Sequence, residues 1–419
     1  MKVQGLRGTR DFFPEKMREL NYLFSTWKSV VEGFGYEEMD GPMLEPAKLW
    51  TLKSGDEIPE QMYLFKDKKG MDVAVRPELT PTLARMVADK QKALIKPIKW
   101  YSIPRCWRYE APQTGRLREF FQLNVDCLGT DSMQADAEVI VTAINIMKAF
   151  GCTKEDFFIR LCNRKLISSL LLSFNIKKKD LQEVSRWIDK KEKLFDKDFI
   201  KGLKSLELGS GQIDAIKDML KMDFSKVNVN ELNEEGKQGY NELKELIGYL
   251  KDYNVLDFCK IDFSLMRGFD YYTSTVFEVY DASMEFRAIA GGGRYDDLVK
   301  DFGGDRCPGV GYGMGDVVLG LFLLKKGKMP NLQRDVDYYI APVSKEVVKQ
   351  SIKIANKLRK KFRVELDLSN RKLKKQFDYA DAINAAKIVI IGERDLKLNK
   401  VTIRDMKTGK EKKVKISEL

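Results

Sequence analysis

Residues 103–129 read IPRCWRYEAPQTGRLREFFQLNVDCLG, and this stretch decides the fold of the region around it. Two runs rich in aromatic and β-branched residues, 103–110 and 120–129, flank a polar loop that contains proline and glycine. The pattern predicts an antiparallel hairpin with a long loop. Because side chains alternate between the two faces of a strand, the returning strand has one apolar face and one mostly polar face. The hairpin therefore has a core side and a side that can carry a functional site.

The polar side of this hairpin combines charged groups with one large ring. Its members on the first strand and the loop are Arg108, Glu110, Arg116 and Arg118, and those on the returning strand are Phe120, Gln122, Asn124 and Asp126. An antiparallel sheet often turns such a face to water, and that interpretation stays open from the pattern alone. Converging arginines beside carboxylates instead indicate recognition of a phosphate and an amine together.

Two later stretches are further candidates for the site. Residues 267–273 read RGFDYYT, where an arginine beside a glycine lets the backbone approach a ligand while the guanidinium reaches a phosphoryl group. The two tyrosines of this stretch also suit ordinary core positions. Residues 290–297 read AGGGRYDD, and the three glycines predict a Gly-rich loop, which is a weak functional signal without its neighbours.

The chain has 419 residues and no histidine. This excludes every mechanism that needs a protein imidazole, including Ser-His-Asp and Cys-His hydrolysis and His-ligated zinc or iron. Catalysis must use carboxylates, Arg, Lys, Tyr, backbone dipoles or a metal held by oxygen. The six cysteines form no Cys-x-x-Cys pair, so we expect reduced and mostly buried thiols.

The remaining sequence predicts two kinds of region before residue 325. Apolar residues at helical spacing predict helices over 16–34 and 135–150. From about 165 to 253 Leu and Lys dominate and charge runs recur, which indicates a helical insertion. Strand patterns return over 257–324, including a glycine-punctuated strand near 309–315.

A linker over 325–330 separates a terminal region in which strands and helices alternate, as in a three-layer α/β module. Residues 333–419 hold 23 Lys and Arg against 12 Asp and Glu, a net charge of +11 out of +12 for the whole chain. This concentration favours contact with a nucleic-acid backbone over a merely solvated surface. No run of 18 apolar residues is present, so we expect a cytoplasmic protein that contacts no membrane.

Several motifs resemble those of class II aminoacyl-tRNA synthetases over nearly the whole chain. Residues 7–14 read RGTRDFFP, residues 35–42 read GYEEMDGP, residues 76–80 read RPELT, and residues 107–110 read WRYE. Residues 7–14 are similar to the opening of histidyl-tRNA synthetases, and residues 35–42 resemble class II motif 1 with its dimer-interface proline. Residues 76–80 resemble the Arg-Pro-Glu-x-Thr of the family, and residues 107–110 resemble motif 2. The stretches at 267–273 and 290–296 resemble the two segments peculiar to the histidine enzymes, which are more specific than the class II motifs.

The resemblance implies an α+β catalytic core built on an antiparallel sheet flanked by helices, with a helical insertion and a C-terminal α/β domain of the anticodon-binding type. The expected divisions are the first part of the core at 1–164, the insertion at 165–254, the second part of the core at 255–327, and the anticodon-binding domain at 333–419. The implied activity is the ATP-dependent ligation of histidine to tRNA by a cytoplasmic homodimer. ATP and Mg²⁺ are the implied cofactors, with the magnesium brought by ATP and no ligand set made of protein alone.

By the same resemblance, one group of residues binds ATP. Arg108 holds the α-phosphate and the amino-acid carboxylate, and Arg267 lies on the opposite side of that phosphate, where relatives use a metal ion. Glu110 contacts the adenine amino group, Phe120 stacks on the ring, and Arg116 reaches the terminal phosphates. Arg108 and Arg267 are the expected catalytic residues, because negative charge on the phosphoryl oxygens must be stabilised.

A second group is expected to bind histidine and the tRNA acceptor end. For the ammonium and carboxylate of the amino acid these are Glu78, Thr80 and Gln122; for the imidazole they are Asp126 and Tyr272, with Tyr271 and Tyr295 nearby; for the acceptor end they are Gln113 and Thr114. An imidazole presents two ring nitrogens, so a selective pocket needs a partner for each. Partners at fixed spacing reject isosteres because the wrong side chain strands buried polar groups.

The sequence departs from the family pattern at three places. The run Gly311 to Val318 ends without the motif 3 arginine that lies over adenine in relatives, and Val318 stands in its place. Ala111 follows the motif 2 glutamate, where many relatives have arginine. Asp126 replaces a longer glutamate of many bacterial members, which shortens the reach of the carboxyl without changing its charge.

Two alternatives remain open from the sequence. One is a catalytically silent, histidine-binding regulatory paralogue, but such proteins typically lack the C-terminal tRNA-binding domain and the segment of the Arg267 type, and both are present here. The other is a class II synthetase for another amino acid, such as threonine or proline. The two histidine-type segments and the absence of a Cys/His zinc cluster disfavour that alternative.

Overall fold

A computed structural model describes residues 3–51, 60–191, 194–266, 271–334 and 336–419. The chain forms two compact units. The first comprises the residues up to 12 and those from 19 to 330, and the second comprises residues 13–18 and 331–419.

The first unit is built on a large sheet and also contains a small one. Its strands are β1 (Glu37–Glu38), β2 (Leu44–Pro46), β3 (Tyr63–Lys66), β4 (Asp72–Val75), β5 (Ile98–Ser102), β6 (Arg105–Trp107), β7 (Glu119–Leu128), β8 (Phe157–Asn163), β9 (Cys259–Ile261), β10 (Thr275–Asp281), β11 (Ala290–Arg294) and β12 (Gly309–Gly315). Within the described residues the large sheet has the order β1-β5-β7-β12-β11-β10-β8-β9, with β6 pairing with β7. The small sheet has the order β2-β4-β3. The large sheet is antiparallel except for the pairs β1-β5 and β8-β9 at its two edges.

Helices cover this sheet, as the apolar periodicity predicts. Up to residue 330 they are α1 (Pro14–Gly33), α2 (Lys48–Thr51), α3 (Thr80–Lys90), α4 (Met133–Ala149), α5 (Arg164–Ser173), α6 (Leu181–Lys190), α7 (Asp196–Lys204), α8 (Ser210–Met219), α9 (Glu234–Asp252), α10 (Leu298–Asp301) and α11 (Asp316–Lys325). The helices predicted over 16–34 and 135–150 correspond to α1 and α4. A side-chain cap fixes the start of α4, because Ser132 accepts a hydrogen bond from the backbone N–H of Gln134.

The predicted hairpin is present as β6 and β7. The apolar face of β7, including Leu123 and Val125, lies in the main core with Trp27 of α1. The first strand ends at Trp107, earlier than predicted, although Arg108 N still donates to Arg118 O at 2.9 Å. Tyr109 N donates to Gln61 O at 2.6 Å instead of pairing with β7.

The three glycines at 291–293 form a strand and not the loop that the sequence predicts. They lie in β11, in the interior of the large sheet between β10 and β12. A Cβ at Gly292 would collide with the carbonyl oxygen of Gly311 and with Tyr312 on the neighbouring strand. The glycines therefore permit close approach within the sheet, which a count of turn-forming residues cannot reveal.

The charge runs between residues 165 and 253 lie in a helical region, α5 to α9, as predicted. These helices place their apolar side chains in the same core as the large sheet: Leu166 of α5 and Leu246 of α9 share it with Phe157 and Ile159 of β8. Asn163, at the end of β8, caps α5 by accepting from the backbone N–H groups of Lys165 and Leu166. A short polar side chain therefore marks where the sheet ends and the helices begin.

The second unit alternates strands and helices as predicted, with one more short helix. Its elements are β13 (Val336–Pro342), α12 (Val348–Leu358), β14 (Val364–Leu366), α13 (Leu373–Ala382), β15 (Ala385–Ile391), α14 (Glu393–Lys397), β16 (Lys400–Asp405) and β17 (Glu411–Lys415). The sheet order is β14-β13-β15-β16-β17. Ile340 packs with Ile354 of α12, whereas Tyr339 packs on the other face with Ala380 of α13, which gives the predicted three layers.

All six cysteines are free thiols; five are buried and Cys259 is partly buried. No helix among the described residues is both long enough and apolar enough to cross a membrane.

Candidate functional site

A pocket in the first unit gathers most of the residues that the sequence singles out. Its cavity volume is about 40 Å³, so the pocket is narrow in the free protein. Eight predicted residues line it: Glu78, Thr80, Arg108, Gln122, Asp126, Tyr271, Tyr272 and Tyr295. Strand β7 contributes the polar face of the hairpin, so this face lines a pocket and is not an open, solvated surface.

Asp126 is a buried carboxyl on β7, and the hydroxyl of Tyr295 donates a hydrogen bond to its Oδ1. Burial raises the pKa of Asp126 to about 7, although the hydrogen bond from Tyr295 favours the ionised form. An ionised carboxyl has further lone pairs after accepting from one tyrosine. Asp126 can therefore accept a second hydrogen bond from a ligand N–H group near neutral pH.

Glu78 is the second buried carboxyl of the pocket, and the hydroxyl of Tyr271 donates to its Oε2 at 3.4 Å. The ring of Tyr271 lies edge-on to two others, 5.0 Å from Tyr272 and 6.0 Å from Tyr295 between centroids. Burial raises the pKa of all three tyrosines, so each remains a hydroxyl donor at neutral pH. Two carboxyls framed by such hydroxyls suit a small ligand that carries N–H groups.

Arg108 brings positive charge to the edge of this pocket. Its Nε donates to the carbonyl oxygen of Pro77 at 3.0 Å. This hydrogen bond holds the guanidinium against the residue that precedes Glu78 in the sequence. The same guanidinium lies 5.3 Å from the centre of the Phe120 ring. The hydrogen bond uses the Nε–H group of Arg108, and the ring contact uses one face of its planar guanidinium. The remaining N–H groups can donate to an anion.

Three residues expected to bind ATP lie next to the pocket but do not line it. Glu110 is buried and forms an ion pair with Arg116. Arg118 Nε donates to the carbonyl oxygen of Glu110 at 3.1 Å, which ties the two ends of the loop to each other. Phe120 is partly buried with Arg108 over its ring. The pairing of Glu110 with Arg116 was not predicted from the sequence.

The loop of the hairpin carries Gln113 and Thr114 at its tip. The backbone of Gln113 exchanges two hydrogen bonds with that of Arg116, at 3.0 and 2.9 Å, and closes the loop. Gly115 follows with φ of 77°, a conformation that glycine adopts without strain. Val318, which replaces the motif 3 arginine, is buried close to Gly115.

Arg267, the second expected catalytic arginine, lies outside the described residues. Five residues that line the pocket were not assigned to it from the sequence: Asn124, Gly291, Gly311, Tyr312 and Gly313. The period-two pattern of β7 could have identified Asn124, because it places this residue between Gln122 and Asp126 on the polar face. The others come from β11 and β12, where runs of glycine carry little signal of what surrounds them.

In the described part of the chain, no group of three or more His, Cys, Asp or Glu side chains is placed to hold a metal ion. The two carboxyls of the pocket, Glu78 and Asp126, each accept a hydrogen bond from a tyrosine.

Two family models match the chain. The model described as histidyl-tRNA synthetase matches residues 8–315, which include every described residue that lines the pocket. The model described as anticodon binding domain matches residues 337–419, which contain all five strands of the second sheet except the first residue of β13.

Full-length relatives agree with these matches. A protein named histidine–tRNA ligase from Haloarcula marismortui is 38% identical over 98% of this chain and 95% of its own length. One of the same name from Leptospira biflexa is 40% identical over 97% of this chain and 94% of its own length. The solved structure of histidyl-tRNA synthetase from Nostoc is 26% identical, covers 100% of this chain and 99% of its own, and has a TM-score of 0.82.

Proposed function

Because the chain belongs to the histidyl-tRNA synthetase family, its activity is the ATP-dependent ligation of histidine to tRNA, and we propose that the pocket on β7 and β12 binds the histidine. The observation that carries this assignment is the buried pair of Asp126 and Tyr295 in the same pocket as Glu78. Asp126 accepts from one imidazole nitrogen, and Tyr272 supplies the partner for the other. Glu78, Thr80 and Gln122 bind the ammonium and carboxylate groups, with Tyr271 donating to Glu78.

ATP binds beside this pocket in the proposed arrangement. Arg108 holds the α-phosphate, Glu110 contacts the adenine amino group, Phe120 stacks on adenine, and Arg116 reaches the terminal phosphates. Because Glu110 and Arg116 pair with each other in the free protein, ATP must separate them and offer each a new partner. ATP enters as its magnesium complex, and Arg267 is proposed to stabilise charge on the same α-phosphate as Arg108.

The chemistry of the first step fits these groups. A carboxylate oxygen of histidine attacks the α-phosphorus, a new P–O bond forms, and the bond to pyrophosphate breaks with the electron pair leaving on pyrophosphate. Negative charge grows on the non-bridging oxygens, where the free N–H groups of Arg108 stabilise it. In the second step the 3′-hydroxyl of the tRNA attacks the adenylate carbonyl, AMP leaves, and the phosphate of the adenylate accepts the proton.

The tRNA contacts both units in this proposal. Gln113 and Thr114 at the loop tip meet the acceptor end, and residues 337–419 bind the anticodon, as the family model for that domain implies. The net charge of +11 over residues 333–419 supports contact with a polyanion. A translation enzyme of this kind acts in the cytoplasm.

A homodimer is supported by one face of the small sheet. In its ladder Leu44, Tyr63 and Val75 share a face, and Pro46, Phe65 and Val73 continue it. All six side chains are apolar or aromatic, and none is fully buried. The face lies next to Pro42, which matches the interface proline of motif 1. Tyr63 already packs edge-on against Trp107 and Tyr109 of the same chain, whereas Leu44 and Phe65 remain exposed. In the proposed dimer a second copy of the chain covers these exposed apolar side chains.

We expect Phe65→Asp to convert the dimer into monomers. The charge would lie in the middle of a buried apolar interface, where no partner compensates it. Sedimentation equilibrium should then give the mass of one chain, whereas the wild type gives twice that mass. Leu64→Asp is the matched control, because Leu64 is similarly exposed but points to the other face of the same strand. Dissociation by both substitutions, or by neither, would contradict the proposed interface.

The activity itself is tested by pyrophosphate exchange with each of the twenty amino acids. We expect exchange with histidine alone, and Arg108→Ala should lower its rate about 10²–10³-fold because a donor to the developing phosphoryl charge is lost. Arg105→Ala is the control, since Arg105 pairs with Glu119 on the opposite face and should retain more than a third of the rate. Exchange with no amino acid would favour the regulatory paralogue, and exchange with another amino acid would favour a different specificity.

A further inference from the structure

Strand β12 has glycine at every second position, and the missing side chains point toward residues of the proposed histidine site. Gly311 pairs with Asp126 of β7, and Gly313 pairs with Asn124. Because residues two apart share a face, Gly311, Gly313 and Gly315 all lie on the side of the sheet that carries Gln122 and Asp126. Gly311 and Gly313 line the pocket itself.

The side chain of Gln122 occupies the space that a residue larger than glycine at 313 would need. A Cβ built on Gly313 would stand 2.5 Å from Nε2 and 2.7 Å from Cδ of Gln122. Its three nearest heavy atoms all belong to this one side chain. Non-bonded carbon atoms are ordinarily about 3.5–4.0 Å apart, so the amide would have to leave its place.

Gly311 has the same relation to Asp126, with an additional contact. A Cβ there would overlap Oδ1 of Asp126 and stand 2.7 Å from the carbonyl oxygen of Val125. The second contact involves the backbone, so substitution at 311 also disturbs the pairing of β7 with β12. Substitution at 313 does not have this complication, because its nearest neighbours are side-chain atoms alone.

We infer that Gly313 is a positioning residue for amino-acid binding: its missing Cβ lets the Gln122 amide lie in the pocket, where it meets the histidine. This inference rests on the proposed function, in which Gln122 binds the ammonium and carboxylate groups. Within the described residues the Gln122 amide forms no hydrogen bond with another side chain or backbone group, so its donors and acceptor are available to a ligand. Gly311 gives Asp126 its place in the same way.

A purely structural role for these glycines predicts something different. Gly292 illustrates that role, because a Cβ there meets backbone atoms of β12 and would force the strands apart. If Gly313 served only strand packing, its replacement would lower stability and weaken all substrates together. If it positions Gln122, its replacement acts on histidine and leaves ATP and the fold unaffected.

The experiment compares Gly313→Ala with Gly315→Ala on the same strand. Nothing lies within 4 Å of a Cβ at Gly315, which makes it a matched control. In pyrophosphate exchange we expect Gly313→Ala to raise the KM for histidine at least tenfold, with the KM for ATP and the melting temperature unchanged. Gly315→Ala should leave all three unchanged. An unchanged KM for histidine in Gly313→Ala, or an equal rise for histidine and ATP, would overturn the inference.

A second variant removes the side chain through which Gly313 is inferred to act. Gln122→Ala lacks the Cγ, Cδ and Nε2 atoms that meet the added Cβ, so Gly313→Ala should change the KM for histidine less than twofold in this background. A further tenfold rise in the double variant would contradict positioning through Gln122. If the wild type shows no histidine-dependent exchange, the proposed function itself is wrong, and this outcome is distinct from either result above.

Discussion

At pH 8, Asp126→Asn should raise the free energy of unfolding by about 2 kcal/mol and weaken histidine binding at least a hundredfold. The two changes have opposite signs because the buried carboxyl costs stability and is proposed to bind the imidazole N–H. Asparagine keeps the size of the side chain and can still accept from Tyr295. It carries no charge, however, and its N–H₂ group opposes the N–H of the ligand.

The gain in stability expected for Asp126→Asn follows from the direction in which folding shifts the pKa of Asp126. Burial raises the pKa of Asp126 from 3.8 to about 7, so the folded protein holds this proton more tightly than the unfolded chain. Stability from this group is therefore lost as pH rises from about 4 to about 7, and the loss is complete above that range. The shift corresponds to about 4 kcal/mol, and the desolvation of the new amide offsets part of the gain from removing it.

Urea unfolding at pH 5 and pH 8 measures the first change, and titration calorimetry with histidine measures the second. The stability difference between variant and wild type should grow by about 2 kcal/mol between the two pH values, as the carboxyl of the wild type ionises. Asp131→Asn is the control, because Asp131 is exposed beside Arg306 and its pKa is lowered. If Asp126→Asn loses both stability and histidine binding at pH 8, this would contradict the proposal that the buried carboxyl of Asp126 lowers stability and binds the ligand.

The period-two pattern of the hairpin predicted which side chains of β7 line the pocket, because alternation depends only on local geometry. Once residues 120–128 form a strand, Gln122 and Asp126 must share a face, whatever the rest of the fold does. The same argument placed Asn124 between them, although nothing in the pattern assigned it a ligand. The helix over Pro14–Gly33 was equally predictable, because its apolar spacing is local.

The glycine-rich segments could not be assigned correctly from local pattern. Residues 291–293 have low intrinsic preference for a strand, and only the neighbours in the sheet make β11 necessary. What Gly313 leaves room for is a side chain 191 positions earlier in the sequence. Packing between distant strands is a property of the tertiary structure, and composition alone cannot express it.

The sequence pattern also could not predict which charged residues contact each other. Glu110 and Arg116 were both predicted to bind ATP, but their pairing in the free protein depends on how the loop folds back. The buried contact of Arg294 with Asp136 joins β11 to α4 across 158 positions. Pairs of this kind connect the site to the stability of the fold.

Arg294→Met should lower the free energy of unfolding by about 3–5 kcal/mol. Arg294 and Asp136 are almost completely buried, and the guanidinium also donates to the carbonyl oxygens of Thr130 and Ser132 and to Asp296. Methionine fills a similar volume but leaves the Asp136 carboxylate without its compensating charge in a low-dielectric interior. The network also reaches the site, because Thr273 Oγ1 donates to Asp296 at 3.0 Å just after Tyr271 and Tyr272.

Urea unfolding of three variants separates this cause from a general loss of packing. Arg306→Met removes a pair with Asp131, in which the two side chains are 52% and 65% exposed, and a longer contact of 3.8 Å with Asp296. Because Arg306 is exposed, this loss should cost at most about 1 kcal/mol. Adding Asp136→Asn to Arg294→Met removes the stranded charge and should recover at least about 1 kcal/mol. Arg294→Met and Arg306→Met could lower the free energy of unfolding equally, or the double variant could be less stable than Arg294→Met alone. Either result would show that the stranded charge of Asp136 is not the reason why Arg294 is necessary. If the double variant recovers stability but not histidine binding, then Arg294 has two separable effects. It balances the charge of Asp136 in the core, and it helps to place Tyr271 and Tyr272.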